Sequence, residues 1–213
     1  MGEFKWSSNL AYAVGLIATD CNLCKDGRHL DLTSKDIEQL ENFKKCLELD
    51  VKITWKSSGY SEKKYPRVQF GNVKLYRWLE TIGLHPNKTK TIGALQIPEK
   101  YFFDFLRGSF DGDGCMYSYW DPRWRSSFMI YLQFVSASLK HVKWIRKKIK
   151  KLLIIEGRIN LSGSVYQLRY AKNASKEIIK QMYYKGDVVF LTRKRDKIIR
   201  ALKIEREGLA GVA

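Results

Sequence analysis

The chain has 213 residues, with 39 Lys and Arg against 22 Asp and Glu, and a formal net charge of +17. A surplus of this size indicates a polyanionic partner. Hydrophobic residues make up 45% of the chain, which excludes a disordered basic tail because such a tail lacks the apolar surface that offsets ordering entropy. No apolar run approaches the roughly 18 residues of a membrane span, and the N-terminal segment lacks the apolar stretch of a secretory signal. We therefore expect an intracellular protein, cytoplasmic or nucleoid-associated, with an organellar origin left open.

The first half of the chain contains three predicted helices and stretches with strand alternation. A short, almost wholly apolar helix at 10–19 comes first, and strand alternation follows at about 22–33. The next helix is amphipathic, and its apolar residues are Ile37, Leu40, Phe43 and Leu47. Two more alternating stretches lie at 51–56 and 67–70, and a last helix follows at about 72–82.

The same order of elements recurs in the second half. Its amphipathic helix has apolar residues 102 positions after those of the first half, at Leu139, Val142, Ile145 and Ile149. The other elements are predicted at 101–110, 115–119, 128–136, 157–161, 166–170 and about 174–184. Each half thus has the order αββαββα, which predicts an α+β fold with a pseudo-two-fold repeat and two antiparallel sheets. Gly and Pro residues break the helical pattern between the halves, so we divide the chain into 1–96 and 97–213.

The alternating stretches predict one apolar and one polar face for each sheet. Ile53 and Trp55, for example, are expected to point toward the helices. Arg and Lys suit guanine and phosphate, amides suit adenine, and Asp can accept from cytosine, so the polar faces are candidates for reading bases. The candidate base readers are Arg28, His29, Asp31, Arg67, Gln69, Tyr117, Tyr119, Gln133, Gln167 and Arg169, and candidates for base or backbone contact are Lys52, Lys56 and Arg158. A merely solvated sheet face is the alternative.

An additional segment at 118–127 distinguishes the second half from the first. It is rich in aromatic and basic residues, which favour contact with DNA over simple packing. The residues concerned are Trp120, Arg123, Trp124 and Arg125.

The ends of the two apolar helices are the strongest local feature. The segments AVGLIATDC (13–21) and LRGSFDGDG (106–114) align without gaps. Glycine inside a helix is unfavourable by about 1 kcal/mol, so the matched glycines, Gly15 and Gly108, predict a close approach of the two backbones. Such packing would bring Asp20 and Asp113 together, and paired carboxylates repel unless a divalent cation such as Mg²⁺ or Mn²⁺ bridges them. In isolation, each Asp could instead simply cap a turn.

These two segments resemble the motifs of LAGLIDADG homing endonucleases, in the single-chain form that carries two motifs. The resemblance extends over essentially the whole chain, since the core of that family is αββαββα in each half. The first motif departs from the pattern at Ala18 and Cys21, but both motifs keep the acidic residue at the eighth position. The resemblance implies that the two sheets form a saddle over the major groove of DNA.

The resemblance also implies roles for individual residues. Asp20 and Asp113 would bind Mg²⁺, with Mn²⁺ as a possible substitute and Ca²⁺ as a non-cleaving one, and the carbonyls of Thr19 and Gly112 would be co-ligands. A basic residue beyond the third helix of each half would assist, and the residues at that place are Lys88 and Lys194. Surface phosphate binding is the alternative for either lysine. The water-ordering positions of the family hold small residues here, Ser34 and Ser136.

We therefore expect a monomeric, site-specific endonuclease that hydrolyses both strands of double-stranded DNA. The outward residues differ between the halves, so the target is expected to be long and largely asymmetric. Two alternatives share the fold: an RNA-splicing maturase and a non-cleaving DNA-binding regulator. Preferential binding of intron RNA over duplex DNA would distinguish the maturase.

Overall fold

The computed structural model describes residues 4–58, 61–124 and 126–210. Its first half contains the elements α1 Ser8–Thr19, β1 Cys21–Leu23, β2 His29–Thr33, α2 Ile37–Leu47, β3 Thr54–Ser58, β4 Ser61–Gly71 and α3 Val73–Thr81. Its second half contains α4 Phe102–Asp113, β5 Cys115–Trp120, β6 Phe128–Ser136, α5 Leu139–Leu153, β7 Arg158–Ser162, β8 Val165–Ala171, α6 Lys172–Met182 and α7 Thr192–Ala210. The predicted αββαββα order is confirmed in both halves, and α7 is an element that the pattern did not predict. Within the described ranges, no helix has the length and apolar character needed to cross a membrane.

The two apolar helices, α1 and α4, pack side by side at the centre of the molecule. Every residue of α1 from Leu10 to Ile17 is buried, which explains why this helix lacks a polar stripe. A Cβ atom at Gly15 would lie 2.3 Å from the carbonyl oxygen of Phe105, and one at Gly108 would lie 2.1 Å from that of Tyr12. Neither position can hold a side chain without separating the helices, so the predicted backbone approach at the two glycines is confirmed.

Each half contains one four-stranded antiparallel sheet, with strand orders β1-β2-β4-β3 and β5-β6-β8-β7. Directly opposed residues lie on the same face, so the register assigns every strand residue to a side. In the first sheet Asp31 lies opposite Gln69, while Leu32 lies opposite Val68 and is buried. In the second sheet Gln133 lies opposite Arg169. The predicted alternation of polar and apolar faces is therefore present in both sheets.

Several predicted boundaries differ from the structure. The stretch at 22–33 forms the two strands of a hairpin, as the αββαββα order requires, whereas β3 begins at Thr54, so Lys52 precedes the strand. Trp55 lies on the helix side of its sheet, opposite the buried Pro66, but is 60% exposed. The reason is that β3 is an edge strand, with a neighbouring strand on one side only.

The last helix, α7, joins the two halves. Its first turn contacts α2, where the Arg193 side chain donates to the carboxylate of Asp36 at 2.6 Å. Further along, the buried Glu205 forms ion pairs with Lys172 and Lys176 of α6. Lys194 lies in the first turn of α7, while Lys88 lies in a short 3-10 turn of the connection between α3 and α4.

Candidate active site

Asp20 and Asp113 lie together where α1 and α4 end. A Cβ atom at Gly112, next to Asp113, would lie 3.0 Å from Oδ2 of Asp20 and 2.0 Å from Oγ1 of Thr19, so the two helix ends are in contact. Asp20 is half-buried, whereas Asp113 is exposed. Desolvation raises the pKa of both carboxyl groups, and the charge of Asp20 raises that of Asp113 further. The two helices thus bring two electrostatically coupled carboxylates to one place that a ligand can reach.

A glutamine of α2 holds one of these carboxylates. Nε2 of Gln39 donates to Oδ2 of Asp20 at 2.8 Å, and the hydroxyl of Ser34 donates to Oε1 of Gln39 at 2.6 Å. Ser34 therefore acts on the carboxylate through Gln39. Sequence reasoning missed Gln39, although its spacing of four from Phe43 places it on the buried face of α2 and so marks it as a polar residue in the core.

The corresponding place in the second half is built differently. Among the described residues, no side chain donates a hydrogen bond to the carboxylate of Asp113. Ser136 accepts a bond from the backbone N–H of Ser138 at 3.1 Å instead of contacting the site. The counterpart of Gln39, 102 residues on, is His141, which bonds to the carbonyl oxygen of Gly93 at 2.8 Å. The repeat of helices and strands therefore does not extend to the residues around each carboxylate.

Two lysines flank the carboxylate pair in similar ways. Nζ of Lys88 donates to the carbonyl oxygen of Cys21, and Nζ of Lys194 donates to that of Gly114 at 2.7 Å. Cys21 and Gly114 are equivalent in the aligned motifs, since each directly follows its aspartate. Lys88 is only 6% exposed, which does not fit a phosphate clamp on the protein surface.

The electrostatic surroundings of the two lysines are also alike. Desolvation lowers the pKa of both Lys88 and Lys194, and the charges of Asp20 and Asp113 act in the opposite direction. The carboxylates therefore oppose the lowering of both lysine pKa values, and the ammonium groups in turn offset part of the negative charge of the carboxylates.

The donor set around the carboxylates fits a hard divalent cation. Within the described residues there is no cluster of three or more His, Cys, Asp or Glu side chains, so the chain offers two carboxylates together with main-chain oxygens. Mg²⁺ is commonly held by one or two carboxylates and completes its coordination with water and substrate phosphates. The carbonyl of Gly112 already accepts a bond from Lys194 at 2.9 Å, so as a co-ligand it would depend on the position of that lysine.

The outer face of the first sheet carries an ion-pair cluster. His29, Asp31, Lys56, Arg67 and Gln69 share this face, as the strand register requires. Asp31 is 6% exposed, and its Oδ2 accepts from Lys56 and from Arg67, each at 3.2 Å. Asp31 therefore holds two of the cationic candidates of this face in place, and its own contact with a base stays a prediction.

Two further candidates of the first half lie beside this face instead of on a strand. Arg28 is exposed in the turn that precedes β2, and Lys52 is exposed before β3. They therefore lie just before the first residues of β2 and β3.

The outer face of the second sheet is aromatic. The rings of Tyr117, Tyr119 and Tyr131 stack with centroid distances of 5.1 to 6.5 Å. Arg169 lies 5.3 Å from the centre of the Tyr131 ring and donates to the Tyr117 hydroxyl at 3.1 Å. The other candidates on this face are Gln133, Arg158 and Gln167. The alternation in sequence places Tyr131 on this face but did not make it a candidate; the register places it directly opposite Tyr117.

Two candidates of the second half already have hydrogen-bond partners within the protein. Gln133 is 7% exposed, and its Oε1 accepts a bond from the thiol of Cys115 at 3.3 Å. Arg123 lies in the loop between β5 and β6, where it bonds to the carboxylate of Asp121 and lowers the pKa of that group. Arg125 lies outside the described residues.

The comparisons with known proteins identify the fold. No protein-family profile matches the chain, and no curated protein is similar to it in sequence. Among solved structures, the homing endonuclease I-WcaI bound to its DNA recognition sequence is 12% identical, with coverage of 92% of this chain and 88% of that one and a TM-score of 0.62. The N-terminal LAGLIDADG domain of DUF199/WhiA is 17% identical, with coverage of 92% and 88% and a TM-score of 0.57.

A third solved structure of this fold is I-DmoI in complex with DNA and Mn, which is 16% identical with a TM-score of 0.53. It covers 84% of this chain and 98% of that one. The protein therefore has a LAGLIDADG-like fold of the α+β class, as the two motifs predicted.

Proposed function

We propose that this protein is a site-specific, divalent-metal-dependent endonuclease that hydrolyses both strands of a DNA duplex and acts as a monomer. One observation carries the proposal: the paired helices deliver Asp20 and Asp113 to one place, with a buried or half-buried lysine beside each. A strongly basic chain that places two coupled carboxylates at its centre has an arrangement suited to cutting a polyanion. Binding alone would be weakened by two negative charges beside phosphates.

The aspartates and the lysines of the centre would have different roles in hydrolysis. Asp20 and Asp113 would hold Mg²⁺ or Mn²⁺ near the carbonyls of Thr19 and Gly112. When bound, such an ion activates water and stabilises the leaving 3′ oxygen of a phosphodiester. Lys88 and Lys194 would fix the main chain on either side of the aspartates and offset negative charge that develops at the phosphate.

The two sheets would read different half-sites. An ion-pair face with Lys56 and Arg67 suits guanine and phosphate, whereas a tyrosine face favours contacts with apolar groups such as the methyl of thymine. Since the faces differ, a long and largely asymmetric duplex is the target that suits them best. A single chain with two unlike halves needs no second copy to cut both strands.

One observation favours a second candidate function. Tyr119 is 43% exposed at the end of the tyrosine stack, and exposed aromatic rings stack well on unpaired bases. An RNA-splicing maturase would use such a surface for RNA. A non-cleaving DNA-binding regulator has less support, because it would not require the carboxylate pair.

Cleavage can be tested with a duplex target selected from a randomised library. The selected duplex is cloned into a supercoiled plasmid and incubated with Mg²⁺, Mn²⁺ or Ca²⁺. We expect linear product with Mg²⁺ and Mn²⁺ only. Asp20→Asn and Asp113→Asn should each lower linearisation by about a hundredfold or more, because each removes one of two carboxylates that act at different strands.

The matched control is Asp187→Asn, which makes the same change at an exposed position. It should cut as the unmodified protein does. Full double-strand cutting by both single variants would overturn the two-carboxylate proposal. Specific binding without any cutting would support the regulator, and tighter binding of intron RNA than of any duplex would support the maturase.

A further inference from the structure

The two amphipathic helices, α2 and α5, begin with opposite charges. Positions 36, 38 and 41 of the first half correspond to 138, 140 and 143 of the second, at the same offset of 102 that relates their apolar residues. The residues in the first half are Asp36, Glu38 and Glu41, and those in the second half are Ser138, Lys140 and Lys143. Equivalent places in the repeat therefore differ in the sign of charge that they present.

In the first half, the start of α7 covers the start of α2. Nη2 of Arg193 donates to Asp36 at 2.6 Å, and the backbone N–H of Thr192 donates to Glu38 at 3.1 Å. The acidic start of α2 is thus covered by the basic start of α7, where Asp36 is ion-paired and Glu38 is hydrogen-bonded within the protein.

In the second half the same place is an open cavity of about 520 Å³. It lies between the start of α5 and the connection that carries Lys88, and three lysines are among the residues that line it, Lys90, Lys140 and Lys143. All three lysines are exposed, and none forms an ion pair or hydrogen bond with any other residue in the ranges that the structure describes. Thr91 and Tyr166 add polar side chains to the same wall.

This combination of charge and donors favours an oxyanion such as a phosphate group. Three like charges around one concavity repel one another, and a doubly or singly charged tetrahedral oxyanion would offset that repulsion while accepting several N–H bonds. Lysine is a common ligand for phosphate because its ammonium acts as a compact charge with three donors. Lys90, one of the lining residues, belongs to the same 3-10 turn as Lys88.

We propose that the cavity lined by Lys90, Lys140 and Lys143 is a phosphate-binding site, that it holds a backbone phosphate of the DNA duplex, and that the first half has no counterpart to it. The assignment to DNA rests on the proposed function, whereas the binding of a phosphate group does not. The protein would then contact the two half-sites unequally, with one additional contact to the DNA backbone on the side of the second sheet.

The first arm of the test uses inorganic phosphate and the full chain without DNA. Amide shifts are followed by NMR during titration of the unmodified protein, a Lys140→Gln, Lys143→Gln variant and a control variant, Lys147→Gln, Lys150→Gln. The control removes the same charge from exposed positions of the same helix. We expect saturable shifts at Thr91 and Lys140 in the unmodified and control proteins, and their loss in the first variant. The absence of localised shifts, or equal shifts in both variants, would overturn the site; the spectra also report whether each variant is folded.

The second arm measures duplex affinity against salt concentration for the same three proteins. One lost phosphate contact should lower the slope of log K against log[salt] by about 1 in the Lys140→Gln, Lys143→Gln variant, and by less in the control. Equal slopes in a protein that still binds inorganic phosphate would overturn the DNA assignment and identify a free phosphate as the ligand. If no version binds any duplex, the proposed function fails, and the phosphate titration alone decides the cavity.

Discussion

The two halves of this molecule share a backbone plan and differ in almost every polar residue attached to it. Both have an apolar helix with an interior glycine, an aspartate at its end, and a lysine bonded to the carbonyl that follows the aspartate. Yet the first sheet presents ion pairs and the second presents stacked tyrosines. In a repeat of this kind, the features common to both halves are those that backbone packing requires, and the surface side chains can differ because they face solvent or a partner.

The comparison is most informative around the carboxylates. Gln39 donates a hydrogen bond to Asp20, whereas the equivalent residue in the second half, His141, is hydrogen-bonded to the carbonyl oxygen of Gly93 in the connection between the halves. Lys194 compensates with three carbonyl contacts at the end of α4, compared with the single carbonyl that Lys88 contacts. The two centres are therefore similar in composition and unequal in support.

The largest effect is expected where the halves are alike. Gly15→Ala and Gly108→Ala should each lower the free energy of unfolding by about 3 kcal/mol or more, because the added methyl would overlap backbone atoms of the partner helix. Urea unfolding measures this directly. Gly93→Ala is the control, since nothing lies within 4 Å of a Cβ atom there. A small loss at either interface glycine would show that the helices can separate at little cost.

A smaller effect should distinguish His141 from its counterpart Gln39, which does not titrate. Burial lowers the pKa of His141 from 6.5 to about 4, so the unfolded state takes up the proton first as the pH falls. The stability contributed by the neutral ring is complete above about pH 6.5 and is lost between there and pH 4. Unfolding free energy should therefore fall by about 2 kcal/mol from pH 7 to pH 5 through this group.

Denaturant unfolding at several pH values, with His141→Asn, measures this contribution. Asn can still donate to the carbonyl of Gly93 but carries no titrating ring, so the variant should show a shallower dependence on pH. The same substitution at the half-buried His85 is the control and should leave the slope in place. An unchanged slope in the His141→Asn protein would assign the acid sensitivity to other groups.

The smallest effect should appear at Gln39 itself. Its hydrogen bond lowers the pKa of Asp20 against the effect of burial, so Gln39→Met should raise that pKa and move the acid limb of cleavage to higher pH. We expect about a tenfold slower cut in one of the two strands, equivalent to about 1.4 kcal/mol, with nicked plasmid accumulating before linear product. Gln96→Met makes the same change at an exposed position and should cut normally. Equal slowing of both strands would mean that the two carboxylates do not serve separate strands.

Much of the fold was predictable because it is determined by local patterns. The spacing of apolar residues identified α2 and α5, and the matched glycines identified the central helix pair. The last helix, α7, was not predicted because its apolar positions are few. Its place depends on ion pairs with distant parts of the chain, those of Arg193 with Asp36 and of Glu205 with Lys176. Ion pairs between distant elements leave no periodic signal.

The sequence by itself determined the repeated αββαββα order, the apolar helices and the positions of the two aspartates, because periodicity and motif spacing are local properties of the chain. Only the tertiary structure decided how the polar residues are used. Asp31 is buried by Lys56 and Arg67, which lie 25 and 36 residues away, and Gln39 reaches Asp20 across 19 residues. The charges at the starts of α2 and α5 were visible in sequence, but whether each is covered or open depended on which later segment packs against it.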